Sequence, residues 1–149
     1  MSFALRAQLC SLALSLTLVS RATPQSQSSS APASTQSSAE SAVRAVAEKY
    51  FALYAAKDLD GLMSLWSGQS PDLESRKQGM QKLFAGYEKI EMKSLAVLRV
   101  TIAGEKARLR VDVEINAVEA KTGKPAAGFG LRKQVMECVK EDGGWRVWR

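Results

Sequence analysis

Ala107-Arg108-Leu109-Arg110-Val111-Asp112-Val113-Glu114-Ile115-Asn116-Ala117 alternates apolar and polar residues without a break. Side chains of a β-strand point to opposite faces in turn, so this period of two describes a strand with one face in a core and the other wet. The inward set is Ala107, Leu109, Val111, Val113, Ile115 and Ala117. Just upstream, residues 90–102 repeat the pattern more loosely. The even positions Ile90, Met92, Ala96, Leu98, Val100 and Ile102 read as the buried set, and Leu95 and Val97 break the alternation. Ala103-Gly104-Glu105 between the two stretches reads as a turn, which makes them an antiparallel pair of long strands.

Downstream, residues 122–128 form a Gly/Pro/Ala loop, 131–141 a third strand and 145–149 a fourth. Asp142-Gly143-Gly144 supplies the hairpin turn between the last two. The third strand leaves its facing open. If Leu131, Val135 and Val139 point inward, Lys133 and Glu137 do too; if Met136 and Cys138 point inward, Arg132, Gln134 and Lys140 share their side.

Before residue 90 the period is helical. Val43, Val46, Ala47, Tyr50 and Tyr54 recur on one face of a helix predicted to start near Ser37, with Ser37-x-x-Glu40 as its capping box, and to run to about Lys57. Asp58 caps a short second helix bearing Leu62, Leu65 and Trp66, ended by Gly68. Ser70-Pro71 opens a third, with Leu73, Met80, Leu83, Phe84 and Tyr87 as its buried stripe. Helices first and an antiparallel meander after them imply an α+β domain, with three helices packed on one face of a curved sheet of about four strands.

The N-terminus reads differently. Residues 1–6 are positive, 9–19 form an apolar run, and Ser20 and Ala22 stand at small-x-small spacing, the three parts of a secretory signal cleaved after Ala22. The run is shorter than the roughly 20 residues of a membrane span, so no stable span is expected once the signal is removed; an uncleaved signal anchor is the alternative. Export to the periplasm or the extracellular space follows. Residues 23–40 hold only Ser, Thr, Gln, Ala and Pro before Glu40 and read as a disordered tether, leaving 41–149 as the folded domain.

Composition closes several functional classes. The chain has 149 residues, 21 basic and 15 acidic, for a net charge of +6, but bases and acids are interspersed, which is not a nucleic-acid footprint. There is no His, which excludes Ser-His-Asp and Cys-His catalysis and His-ligated metal sites. Cys10 lies in the signal, so Cys138 is left without a disulfide partner and reads as a small buried residue. Gly128-Phe129-Gly130 lacks the Lys-Ser/Thr and the following helix of a phosphate loop. No metal and no cofactor are implied.

The order of elements and three groups of residues resemble the superfamily of nuclear transport factor two, ketosteroid isomerase and the SnoaL-like proteins. They are Val46-x-x-Tyr50-Phe51-x-x-Tyr54 with Ala56-Lys57-Asp58-Leu59-Asp60-Gly61-Leu62 and Leu65-Trp66; the long hairpin; and the closing Lys140-Glu141-Asp142-Gly143-Gly144-Trp145-Arg146-Val147-Trp148. The resemblance spans roughly residues 41–149 and implies a cone-shaped NTF2-like fold with a pocket. Members include isomerases and dehydratases as well as non-catalytic binding and association domains, many of them dimeric through the sheet. Two departures stand out. Residues 67–70 leave no room for the short strand pair that members carry between the second and third helices, which implies a shallower cone. The chain also stops inside its last strand, as a truncated or stand-alone copy would.

The resemblance implies an aromatic and apolar pocket, for which Tyr50, Tyr54, Trp66, Phe84, Tyr87, Met92, Leu98, Val111 and Trp145 are the candidates. Family enzymes place an acid or base inside the cone; here Glu137 and Asp60 are the candidates. Asp58 and Asp60 read better as helix caps, and Asp112 and Glu114 as cross-strand partners of Lys93 and Arg99. The expected function is a non-catalytic domain that binds a small hydrophobic ligand or forms a homodimer; the alternative is a small isomerase or dehydratase with a carboxylate base.

Overall fold

The computed structural model describes residues 31–149, with side chains from Thr35 onward. The secretory signal expected at 1–22 and the first part of the expected tether, 23–30, lie outside the described residues. Helix α1 (Ala31–Ala56) is followed by α2 (Leu59–Ser64) and α3 (Leu73–Gly86), then by strands β1 (Tyr87–Ala103), β2 (Lys106–Glu119), β3 (Gly130–Glu141) and β4 (Gly144–Val147). The strands form one antiparallel sheet in the order β1-β2-β3-β4. The helices cover its concave face, and the core lies between. This is the α+β arrangement the switch of period implies.

Helix α1 starts earlier than its sequence pattern indicates. Residues 31–40 belong to the helix rather than to a tether, and Ser37 lies inside it rather than capping it. Helix-favouring Ala at 31, 33 and 39 supports the extension, and Pro32 is tolerated in a first turn, whose N–H groups have no helical partner. Glu40 pairs with Arg44 one turn on, at 2.8 Å, and Arg44 also donates to the Val97 carbonyl at 2.8 Å, tying α1 to β1. Val43, Ala47, Tyr50 and Phe51 are the buried face. The helix ends at Lys57, which takes a left-handed φ of 57°. Its N–H bonds to the Tyr54 carbonyl and that of Asp58 to the Leu53 carbonyl, a Schellman ending.

Asp58 then caps α2 as expected: its Oδ1 accepts from the Gly61 N–H at 2.8 Å. Only glycine permits this approach, because a Cβ at position 61 would lie 2.3 Å from Asp58 Oδ2. Asp60 lies exposed in the first turn without a capping bond. Replacing Asp58 with Ala should therefore lower unfolding free energy by about 1 kcal/mol, while Asp60→Ala should stay within about 0.5 kcal/mol, in urea titrations of the two variants.

The connector from α2 to α3 holds no strand. It is instead sewn to β4. Trp66 bridges Val147 in parallel, the Ser67 N–H donates to the Val147 carbonyl at 2.8 Å, and the Val147 N–H donates to the Leu65 carbonyl at 2.8 Å. Buried Ser67 donates its hydroxyl to Glu141, and Ser70 donates to the Trp148 carbonyl at 2.6 Å. Ser70 thus fastens the sheet end while its hydroxyl also accepts from the Asp72 N–H at 3.2 Å, as an opening cap would, and the regular helix α3 begins at Leu73, after Asp72. Of its expected stripe only Phe84 is fully buried; Leu73, Met80 and Leu83 are half-buried, and Tyr87 opens β1.

Strand β1 departs most from its sequence pattern. Register shifts fall between Tyr87 and Lys89, Met92 and Ser94, and Val97 and Arg99. Each of the last two inserts one residue and reverses which parity faces the core. The cross-strand pairs are Ile90 with Ala117, Met92 with Ile115, Leu95 with Val113, Val97 with Val111, Val100 with Leu109 and Ile102 with Ala107. Leu95 and Val97 are therefore part of the inward set, while Leu98, at the second bulge, is 60% exposed. The bulges also displace the expected ion pairs. Asp112 stands opposite Ala96 and Lys133, Glu114 opposite Ser94 and Leu131, Arg99 opposite Arg110, and Lys93 pairs with Glu91 at 2.9 Å.

Candidate functional site

Strand β3 decides what faces the inside of the cone. Cys138 pairs with Ala107, Met136 with Leu109, Gln134 with Val111 and Arg132 with Val113. Those partners are buried on the concave face, so the even positions of β3 share it. Met136 and Cys138 are buried under the helices; Arg132 and Gln134 lie farther along the strand, where the helices part from the sheet.

That parting is a cleft of about 240 Å³, lined by Tyr50, Phe51 and Tyr54 of α1, Arg76, Met80 and Leu83 of α3, Ile115 of β2, Phe129, and Arg132 and Gln134 of β3. The volume is just below the roughly 300–1,000 Å³ typical of small-molecule sites. Its walls are aromatic and apolar, with a few polar groups converging from three elements. Tyr54 meets Phe84 edge to face, with ring centroids 5.7 Å apart, and Tyr87 meets Phe129 likewise at 4.9 Å. Gly128 and Gly130, at φ 80° and 115°, give the backbone around Phe129 a course that residues with side chains rarely take. The guanidinium of Arg132 lies 5.4 Å from the Phe129 ring centroid and donates to the Gly128 carbonyl. It is thus held at the cleft by a cation–π contact and a hydrogen bond.

The electrostatics of the cleft are one-sided. No carboxylate is among its lining residues. Burial pushes the Tyr50 phenol up to about 12, with Arg76 partly opposing it and Tyr54 adding to it. Burial raises the Tyr54 phenol as well, and there Arg132 opposes. Both phenols are therefore neutral hydrogen-bonding groups at physiological pH.

Of the nine pocket residues named from the sequence, Tyr50 and Tyr54 line the cleft, while Phe84 and Tyr87 support its rings from behind. The other five lie elsewhere. Trp66 is buried beside Val147, its indole N–H without a hydrogen-bond partner among the described residues. Val111 is at the bottom of the core, Met92 and Trp145 are half-buried against it, and Leu98 is on the surface. Glu137 points to the convex face, where it meets Arg149 at 3.4 Å and Arg108 at 4.0 Å. Asp60 is on α2, away from the cleft lining. The sequence pattern did not single out Phe51, Arg76, Met80, Leu83, Ile115 and Phe129 as lining residues; for Arg132 and Gln134 the signal was the parity they share with Met136 and Cys138.

Helices packed into a curled four-stranded antiparallel sheet, with a cleft between, match known structures. A candidate dehydratase from the NTF2-like family of Streptomyces avermitilis superposes with a TM-score of 0.63 at 15% identity, over 76% of this chain and 93% of that one. The chain has the NTF2-like fold. A ketosteroid isomerase-like protein from Erwinia carotovora atroseptica gives 0.60 at 15% identity, over 73% and 90%. A candidate calcium/calmodulin-dependent protein kinase type II association domain from Thiobacillus denitrificans gives 0.54 at 13% identity, over 70% and 88%. No protein-family model and no curated protein matches the chain. Enzyme-like and association domains share this NTF2-like fold, so the fold by itself assigns neither role. No helix among the described residues is long and apolar enough to cross a membrane.

Proposed function

We propose that this chain is an exported, non-catalytic binding domain that holds a small, largely apolar ligand in the cleft and pairs with a second copy through the convex face of its sheet. One observation carries the reading: the cleft offers aromatic walls and hydrogen-bond donors but no acid or base suited to proton transfer near neutral pH. A general base must reach the proton it removes. Glu137 and Asp60, the carboxylates an isomerase or dehydratase would need here, both lie outside the cleft. Export rests on the signal pattern of residues 1–22.

The pairing rests on the convex face. Leu98, Leu131 and Val135 are 60%, 64% and 47% exposed. Leu98 adjoins Arg99, whose cross-strand partner Arg110 is in turn opposite Val135, so apolar and charged groups share one band across the sheet. Interfaces mix such groups, with apolar anchors at their centre. Native mass spectrometry of the secreted protein reads the mature N-terminus, the assembly and any retained ligand in one spectrum. The expected result is a dimer that sheds a small molecule on activation, and Val135→Glu should convert it to monomer with its circular dichroism unchanged. A monomer without ligand would overturn the reading.

A further inference from the structure

We infer that the cleft selects organic carboxylates: acids whose aromatic or branched apolar body fills the space between α1 and the sheet while the carboxylate meets Arg76 and Arg132. The inference rests on the reading of the cleft as a ligand site and names the class of ligand. Arg76 comes from α3 and Arg132 from β3, so two guanidiniums reach the cavity from opposite walls, and Gln134 adds a neutral amide. Both arginines are exposed residues and neither guanidinium forms an ion pair among the described residues, which is equally true of Arg99, Arg110 and Arg146; what sets Arg76 and Arg132 apart is that both line one cavity. Two arginines without counter-ions beside an apolar cavity leave a local positive field that an anionic ligand can neutralise. The field reaches the cavity interior, since Arg76 and Arg132 each act on a phenol of its wall.

The geometry favours a carboxylate over a neutral head. A guanidinium carries five N–H donors in a planar fork that matches a carboxylate with two parallel bonds. Arg132 spends one nitrogen on the Gly128 carbonyl and has its Cζ over the Phe129 ring, which leaves further N–H donors for a ligand. The remaining lining, Phe51, Met80, Leu83, Ile115 and Phe129, suits an apolar body, and a cavity of about 240 Å³ limits that body to a single ring or a short branched chain.

The test compares 4-phenylbutyrate with 4-phenylbutyramide by isothermal titration calorimetry on the full secreted chain. The two share size and apolar body and differ in charge. The carboxylate is expected to bind about tenfold tighter or more, as charge-assisted bonds to arginine imply. Arg76→Gln and Arg132→Gln should each shrink that preference severalfold, weakening the acid more than the amide, and Arg132→Lys should retain part of it. Phenylpropyl phosphate is the control for an anion of different shape, expected to bind more weakly than the acid. Equal affinity for acid and amide would overturn the carboxylate inference while leaving the binding-domain reading intact. Absence of binding by both would overturn the two together, and tighter binding of the phosphate would overturn the choice of carboxylate.

Discussion

Leu109→Ala should lower the unfolding free energy by about 3–5 kcal/mol, the upper part of the range for leucine truncation in a core. Leu109 is fully buried at the middle of β2, between Val100 of β1 and Met136 of β3. Its neighbours are held in register by ladder hydrogen bonds on both sides, so they cannot collapse into the space that the lost methyl groups leave. Total stabilities of such domains are about 5–15 kcal/mol, and the variant would lose a large part of that. The melting temperature should fall by about 10 °C or more. Leu98→Ala removes the same atoms from a residue that is 60% exposed and should cost about 0.5 kcal/mol or less. The contrast also tests the bulges of β1. Strict alternation would place Leu98 inward with Val100 and turn Val97 out; the bulge between Val97 and Arg99 reverses this. Val97→Asp should then destabilise by several-fold more than Leu98→Asp, read as the shift in urea midpoint at constant slope. Equal losses in the two aspartate variants would show that the inward set of β1 has been misassigned.

Strand β2 was legible because it is central, paired on both sides, and buried on one face along its whole length. Its apolar residues never miss a position. Strand β1 was only half legible. A bulge leaves no sequence mark when the inserted residues are ordinary, and here Lys93 and Leu98 fit a strand as well as any others. Two reversals of parity turned Leu95 and Val97 from apparent exceptions into inward residues, half-buried against the core. They also moved Lys93 and Arg99 away from Asp112 and Glu114. The ambiguity of β3 has a cause in the site itself. Its concave side faces closed core at Met136 and Cys138 but open cleft at Arg132 and Gln134, and its convex side carries exposed Leu131 and Val135. Polarity therefore does not separate its two faces. Aromatic residues of α1 could be placed at the cleft from helical spacing alone, as Tyr50 and Tyr54 were. Arg76 could not, because an arginine on a helix otherwise rich in Lys, Gln and Glu reads as solvent-facing, and it is indeed exposed, at the cleft. Glu137 had the residue type for chemistry and the wrong parity. The early start of α1 was hidden by composition: Ser, Gln and Ala support a helix that continues from a packed one, yet carry no apolar stripe to announce it.

Stability should start to fall above pH 9 and be lowered by several kcal/mol before pH 12. Cys138 is 1% exposed, and burial pushes its thiol from an ordinary value of 9.0 up to about 12. Tyr50 is 9% exposed, and burial pushes its phenol from 10.0 up to about 12 against the opposing pull of Arg76. Both groups stay protonated in the folded chain at pH values where the unfolded chain has released their protons. The unfolded state then binds fewer protons, and stability falls as pH rises. Below pH 9 neither group costs anything; the loss grows between 9 and 12 and levels off above. At about 1.4 kcal/mol per pH unit, the loss is on the order of 4 kcal/mol for Cys138 and 3 kcal/mol for Tyr50. Together they are a large share of the roughly 5–15 kcal/mol that such a domain has. Urea titrations at pH 8, 10 and 11 under reducing conditions measure the slope. Cys138→Ala isolates the thiol: it should lower stability at pH 8 by about 1 kcal/mol through the small cavity it leaves, yet lose less between pH 9 and 11 than the parent chain. Curves for parent and variant that run parallel across that interval would mean that the thiol is not held neutral by burial, and that the core around Met136, Cys138 and Val147 admits more water than its packing implies.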